Sequence, residues 1–91
     1  MKSVFYTSQA RKDLKRIRND QGKMLKLQKA LEMLALGLRL PSSYRMHRLV
    51  GQYKGCLECH IEGDLLLVWL DEESDAIEIV RVGSHSEIFG R

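Results

Sequence analysis

The C-terminal half of the chain holds the residues best suited to acid–base chemistry. It carries three histidines, His47, His60 and His85, each near the edge or end of a predicted strand. His60 precedes Asp64 by four residues across a turn, and His85 follows Arg81 by four, just past the last strand. Neighbouring strands of an antiparallel sheet bring such ends together. We therefore expect two histidines, an aspartate and an arginine to converge on one site.

The chemistry that suits this group is phosphodiester cleavage in RNA. The 2′-hydroxyl attacks the adjacent phosphate, which requires a base, an acid for the leaving 5′-oxygen and positive charge near the phosphate oxygens. Histidine titrates near neutral pH and can fill either proton-transfer role. Arg81 offers a planar fork for the phosphate, and Phe89 offers a ring on which a base can stack. This chemistry needs no divalent metal, in keeping with the lack of a carboxylate cluster.

A second pattern, Cys56-Leu57-Glu58-Cys59-His60, matches the attachment signature of c-type haem. The segment is predicted to be a strand, on which Cys56 and Cys59 point to opposite faces. Their Cα atoms would then be roughly 10 Å apart, beyond the reach of a disulfide. We interpret Cys59 as a small core residue beside Leu57 and Ile61, and we predict neither haem, metal nor any other cofactor.

Composition and charge limit the remaining possibilities. The 91 residues suffice for one domain, and the net charge of +3 is unevenly distributed. Residues 1–29 carry nine basic and two acidic side chains, whereas residues 30–91 carry six and ten. Such a basic surface suits a polyanion, although a merely solvated helix face explains the charge equally well. The sequence shows neither a signal peptide nor an apolar run that could span a membrane, so we expect a cytoplasmic protein with free thiols.

The order of predicted elements is β-α-α-β-β-β, an α+β domain in which both helices cover one face of an antiparallel sheet. Apolar residues at helical spacing predict an antiparallel hairpin of two helices. The first carries the basic residues Arg11, Lys12, Lys15, Arg16 and Arg18. The helices are expected at 8–19 and 23–36, the strands at 3–7, 45–50, 56–62, 65–70 and 76–82, an acidic loop at 71–75 and a tail at 84–91.

Three segments together resemble the YafQ-type branch of the RelE/ParE toxin superfamily. They are residues 44–49 (YRMHRL), 55–69 (GCLECHIEGDLLLVW) and 81–89 (RVGSHSEIF). The resemblance covers essentially the whole chain and implies a RelE-like fold. It also implies an mRNA endonuclease that acts in the ribosomal A site and forms a hetero-oligomer with a cognate antitoxin, which silences it.

The resemblance also suggests roles for individual residues. His85 is the best candidate for proton transfer, Asp64 assists it, and Arg81 stabilises the phosphate. The remaining family positions match His47, His60 and Phe89, and the basic helix would face ribosomal RNA. The chain departs from the family pattern at three positions: Met46 and Arg48 replace the usual Asp and Pro around the histidine, and Leu65 stands where some members have Trp.

Two other functions remain open from the sequence. The same fold in the ParE branch serves non-catalytic inhibitors of a protein target such as DNA gyrase. A module that binds RNA or an antitoxin without cleaving anything is the other possibility, because the departures at Met46 and Arg48 change the loop around His47.

Overall fold

The computed structural model describes residues 1–72 and 75–90, and it is a five-stranded sheet with helices on it. In chain order the elements are β1 (Ser3–Tyr6), α1 (Ser8–Ile17), α2 (Gln21–Ala35), β2 (His47–Arg48), β3 (Leu57–Glu62), β4 (Leu65–Asp71), β5 (Ala76–Gly83) and α3 (His85–Phe89). Within the described ranges, no helix is long and apolar enough to cross a membrane.

The strands lie in the order β1-β5-β4-β3-β2, and the pairs β2–β3, β3–β4 and β4–β5 are antiparallel. The predicted α+β fold with two helices on a mainly antiparallel sheet is therefore confirmed. One detail differs, because β1 pairs with β5 in the parallel direction. Strands β3, β4 and β5 form a meander, and the last of them, β5, runs alongside β1. Helices α1 and α2 belong to the long connection between β1 and β2, the two edge strands of the sheet.

Both helices begin at side-chain caps. The hydroxyl of Thr7 accepts a hydrogen bond from the Ala10 N–H, and Asp20 accepts one from the Lys23 N–H. Because Asp20 is a cap rather than part of a longer turn, α2 begins at Gln21 instead of the predicted residue 23. Gly37 adopts a left-handed φ of 74° just after α2, a conformation that glycine readily adopts at the end of a helix. Helix α1 packs on β5 and β1, whereas α2 packs on β3.

The sheet is buried on both faces. Cys59, Leu67 and Trp69 face the helices in one core cluster, while Leu66 and Val68 belong to a second cluster on the opposite face. This confirms that 65–70 is a central strand and that Cys59 is a core residue. Cys56 lies in the second cluster, so the two thiols do face opposite ways, and both are free. Burial of the Cys59 thiol and, to a smaller extent, the charge of Glu58 raise the pKa of this thiol to about 12.

The second cluster exists because two segments cover the outer face, and both differ from the sequence prediction. The strand expected at 45–50 shrinks to two residues, followed by a single 3-10 turn at Gly51–Tyr53. The expected tail at 84–91 contains α3. Ser84 and Glu87 form a capping box at the N-terminus of this helix, and its Ile88 is buried. Of the predicted acidic loop, residues 73 and 74 lie outside the described part of the chain, as does residue 91 of the tail.

A buried carboxylate joins α1 to β5. Asp13 is fully buried on the helix face that also carries Ala10. Its Oδ2 accepts hydrogen bonds from the Arg81 Nε (2.8 Å) and the Val82 N–H (3.0 Å), and its Oδ1 accepts one from an Nη of Arg81 (3.2 Å). Val82 lies past the end of β1, so Asp13 takes the place of a strand partner there. Arg16 also contacts Asp13, from the exposed side.

A β-bulge in β5 directs Arg81 toward that carboxylate. Val68 pairs with Arg81, but the next residue, Trp69, pairs with Ile79, so Val80 is the extra residue. The alternation of faces is broken at this point: Ile79 and Val82 both lie in the helix-side cluster, and Val80 lies in the other. Strict alternation along the strand would place Arg81 on the same face as Ile77 and Ile79, and the bulge removes it from that face.

We predict that Asp13→Ala lowers the free energy of unfolding by about 3–5 kcal/mol, because it leaves the half-buried Arg81 charge and the Val82 N–H unpaired. The matched control, Arg16→Ala, removes a largely exposed partner of the same carboxylate and should cost less than about 1 kcal/mol. Urea denaturation of both variants measures the difference. Equal, small losses for the two variants would contradict this role of Asp13.

The same pair predicts a pH dependence of stability. Burial acts to raise the pKa of Asp13, but the hydrogen bonds from Arg81, Val82 and Gln9 outweigh it, and the pKa lies below the ordinary 3.8. The stabilisation of the fold by ionised Asp13 is therefore fully present above pH 3.8, and it is lost as the pH falls through the lower pKa that Asp13 has in the folded state. Acid titration of the free energy of unfolding in wild type and Asp13→Ala should give curves that converge only at strongly acidic pH.

Candidate active site

The site centres on a hydrogen-bonded pair of His85 and Asp64. Asp64 lies in the turn between β3 and β4, and His85 is the first residue of α3. The His85 Nδ1 lies 3.1 Å from Asp64 Oδ1, and the His85 backbone N–H donates to the same oxygen at 3.3 Å. These two hydrogen bonds from His85 lower the pKa of Asp64. The carboxylate is therefore ionised near neutral pH and can only accept, which assigns the proton of neutral His85 to Nδ1 and leaves Nε2 as a free base.

Four rings form a row at this edge of the molecule. The ring centroids of Tyr53 and Phe89 are 5.8 Å apart, those of Phe89 and His85 are 5.9 Å apart, and those of His85 and His60 are 6.2 Å apart. His85 and Phe89 are neighbours because they are four residues apart on α3. His60 reaches the row from β3, where it pairs with Leu66. The structure thus brings together the predicted residues His60, Asp64, His85 and Phe89.

Arg81 borders the site, but most of its hydrogen-bonding capacity is committed to the protein. Besides Asp13, its guanidinium donates to the Tyr53 hydroxyl (3.2 Å) and to the Glu87 carbonyl of α3 (3.1 Å). Hydrogen bonds to the described residues thereby use four of its five N–H groups, and one on Nη1 has no partner among those residues. The hydrogen bond to Asp13 is the main cause that raises the pKa of Arg81. Arg81 therefore supplies a fixed positive charge and holds α3 in place.

His47 hydrogen-bonds elsewhere, at the neighbouring β2–β3 pair. Its Nδ1 lies 2.9 Å from the Arg45 carbonyl oxygen, and its Nε2 lies 3.2 Å from Glu58 Oε1. A carbonyl only accepts, so the hydrogen bond at Nδ1 requires a proton on that nitrogen, while Nε2 lies within ion-pair distance of the Glu58 carboxylate. Both ring nitrogens are thus engaged. Glu58 is buried, and its Oε2 lacks a hydrogen-bond partner among the described residues.

The predicted basic residues of α1 differ in their surroundings. Arg11, Lys12, Lys15 and Arg18 are exposed. Arg16 is exposed as well, but it pairs with Asp13 and, at 3.0 Å, with Glu87. Its charge is therefore largely compensated within the protein.

Two grooves flank the site. The larger, of about 640 Å³, borders Asp64 and has an acidic lining that includes Asp20, Glu62 and Glu87. The smaller, of about 300 Å³, borders His60. No group of three His, Cys, Asp or Glu side chains in residues 1–72 and 75–90 is arranged to hold a metal ion.

Sequence reasoning missed three contributors to this site. Asp13 and Glu58 were counted only as charges, because burial of an acidic residue depends on partners that are remote in sequence. Tyr53 carried no signal. The helix that holds His85 did carry one, since Ser84 and Glu87 form the S-x-x-E pattern of a capping box.

Comparison with known proteins places this geometry in one family. Residues 2–90 match the family model for the bacterial toxin of the type II toxin-antitoxin system, YafQ. The mRNA interferase toxin YafQ of Escherichia coli K12 is 30% identical over 90 residues, which are 98% of this chain and 97% of that protein. A Haemophilus influenzae protein that bears the YafQ toxin name is 39% identical over 61 residues. That alignment spans 64% of this chain and 60% of the relative, less than two thirds of its length.

A solved structure agrees with the sequence match. The E. coli DinJ-YafQ complex contains a chain that superimposes on this one with a TM-score of 0.87 and 28% identity, covering 99% of this chain and 100% of that one. The strands and helices that position His85 and Asp64 therefore form a known toxin fold, and this chain belongs to the YafQ family of type II toxin–antitoxin toxins.

Proposed function

We propose that this toxin is a ribosome-dependent mRNA endonuclease that requires no metal and inhibits translation, and that a cognate antitoxin silences it in a hetero-oligomer. The observation that carries the proposal is the 3.1 Å contact between Asp64 and His85 Nδ1. It orients an imidazole whose Nε2 is free for proton transfer. The name of the E. coli relative, mRNA interferase toxin, supports the same substrate class.

In the proposed reaction, the RNA 2′-hydroxyl attacks the adjacent phosphorus, and the P–O bond to the 5′-oxygen breaks. This yields a 2′,3′-cyclic phosphate and a 5′-hydroxyl. One group removes the hydroxyl proton and another delivers a proton to the leaving oxygen. His85 is suited to either transfer through Nε2, and Asp64 stabilises the imidazolium form in the manner of a carboxylate–histidine pair. His60 would serve the complementary transfer, and the 6.2 Å between the ring centroids of His60 and His85 supports this role.

The remaining predicted site residues support this centre. Arg81 contributes positive charge and its one uncommitted N–H to the phosphate, and it positions α3 through the Glu87 carbonyl. Phe89 offers a face for base stacking beside His85. His47 has both nitrogens engaged and acts indirectly, by fixing the segment next to β3. The exposed cations of α1, Arg11, Lys12, Lys15 and Arg18, would contact ribosomal RNA through its phosphates.

The antitoxin and the ribosome are the proposed partners. The E. coli relative is solved in complex with DinJ, which supports a protein antitoxin for this chain as well. Chain stripped of transition metals with a chelator and then desalted should cleave ribosome-bound mRNA as fast as the untreated chain, since the proposed chemistry uses only the side chains of the protein.

We expect induction of the wild-type chain to arrest growth and to leave cut mRNA, and we expect His85→Ala to abolish both effects. The substitution removes the free Nε2, which should lower the cleavage rate on programmed ribosomes by about 100-fold or more. Growth curves and primer extension on a reporter mRNA measure the two effects. Gln28→Ala, at an exposed position of α2, is the matched control and should stay toxic.

Three results would contradict the assignment. Unchanged toxicity of folded His85→Ala would exclude His85 as a catalytic residue. Intact mRNA together with relaxed or broken DNA would indicate a gyrase-directed inhibitor. Tight antitoxin binding without any growth defect would indicate an inactive binding module.

We further expect Asp64→Asn to lower kcat by about 10- to 100-fold with little change in KM. The amide can donate as well as accept, so it no longer holds the His85 proton on Nδ1. Because the pKa of Asp64 is lowered below 3.8, its effect should persist over the whole range from pH 5 to 9. Single-turnover cleavage at several pH values measures this, and a variant as fast as wild type would show that the carboxylate is dispensable.

A further inference from the structure

We propose that the groove beside His60 is a nucleotide subsite, in which Tyr44 stacks on an RNA base next to the scissile phosphate and Lys29 contacts the adjoining backbone. The inference rests on the proposed endonuclease function and specifies how that site grips its substrate. The groove has a volume of about 300 Å³ and is lined by Lys26, Lys29, Ser43, Tyr44, His60 and Ile61. Its volume is at the lower end of the range for small-ligand sites.

The position of the groove links it to the reaction centre. His60 forms one wall, and the same imidazole lies 6.2 Å from His85 between ring centroids. Phe89 lies on the far side of His85, 5.9 Å away between ring centroids. The row of rings thus continues from Phe89 through the two histidines to a groove whose lining includes another aromatic side chain, Tyr44. A single-stranded RNA whose phosphate sits at the histidines has one ring on either side for its flanking bases.

The Tyr44 ring is held in place before any ligand binds. Tyr44 ends a single 3-10 turn, Ser42–Tyr44, and its half-buried ring packs against the core cluster under α2. Its backbone N–H donates to the Pro41 carbonyl at 3.0 Å. A ring fixed in this way loses little conformational freedom when a base stacks on it, which favours affinity.

Charge favours this groove over its larger neighbour as the path of the RNA backbone. The groove beside Asp64 is lined by four carboxylates and one lysine, so it repels phosphates. The groove beside His60 has two lysines and no carboxylate in its lining. Lys26 forms an ion pair with Glu62 at 2.9 Å. Lys29 is therefore the lysine of this groove that has no ion-pair partner among the described residues.

The lysines come from one ridge of α2. Lys23, Lys26 and Lys29 follow each other at intervals of three residues, which places them along one side of a helix. Lys23 borders the acidic groove, and the other two border the groove beside His60. The basic N-terminal third of the sequence therefore reaches the site through α2 as well as α1.

The test is a nuclear magnetic resonance titration of the full-length chain with a short single-stranded RNA that is 2′-O-methylated and so cannot be cut. We expect shift changes at Tyr44, His60 and Ile61. Tyr44→Leu keeps apolar packing but loses the stacking face, and should weaken binding about tenfold. Tyr44→Phe should bind nearly as well as wild type. Lys29→Gln should weaken binding about three- to fivefold, whereas Arg39→Gln, which removes an exposed charge from a different groove, should have no effect.

The outcomes separate the subsite from the nuclease proposal. Binding through Tyr44 by a chain that never cuts ribosome-bound mRNA would keep the subsite and refute the nuclease. Normal cutting and normal affinity in folded Tyr44→Leu would overturn the subsite alone. Shift changes at Tyr44 with an acidic peptide but none with RNA would assign the groove to a protein partner, and the absence of any RNA binding would also overturn the proposal.

Discussion

The buried ion pair of Asp13 and Arg81 is the interaction on which the site geometry depends. A charge withdrawn from water is tolerated only with full hydrogen bonding, and here the partners come from three parts of the fold. Asp13 on α1 accepts hydrogen bonds from the Arg81 guanidinium and the Val82 N–H, and the Nη2 of Arg81 that donates to Asp13 also donates to the Glu87 carbonyl of α3. Helix α3 has only five residues and could not keep a fixed orientation by itself.

This anchoring places a short helix so that its first residue meets the β3–β4 turn. His85 then contacts Asp64, and Phe89, four residues later, extends over the outer face toward Tyr53. The bulge in β5 is part of the same arrangement, because it turns the Arg81 side chain out of the sheet and toward α1. Packing therefore controls the chemistry by orienting His85. The Asp64 carboxylate determines that Nδ1 of His85 carries the proton, and the ion pair of Asp13 and Arg81 holds α3 where the His85 imidazole can contact Asp64.

The sequence predicted the two long helices, four of the five strands and the cluster of His60, Asp64 and His85, because periodicity and turn residues are local signals. It failed where the answer depends on remote partners. The burial of Asp13 depends on the guanidinium of Arg81, which is 68 residues away in the sequence. The parallel pairing of β1 depends on its lying beside β5, the last strand of the chain. The sequence placed His47 in the same site as the other two histidines, whereas its Nε2 lies beside Glu58 on the neighbouring strand. The helix at His85 is a different case, since its capping box was visible and was overlooked.

The most direct test of this account is the long-range 1H–15N spectrum of the imidazoles at mildly alkaline pH, in wild type and in Arg81→Lys. Lysine keeps the charge beside Asp13 but lacks the fork that reaches Tyr53 and the Glu87 carbonyl. Wild-type His85 is expected to carry its proton on Nδ1 alone, and the variant is expected to show a mixture of both tautomers. A proton on Nε2 in wild type, or an unchanged His85 spectrum in Arg81→Lys, would contradict this expectation.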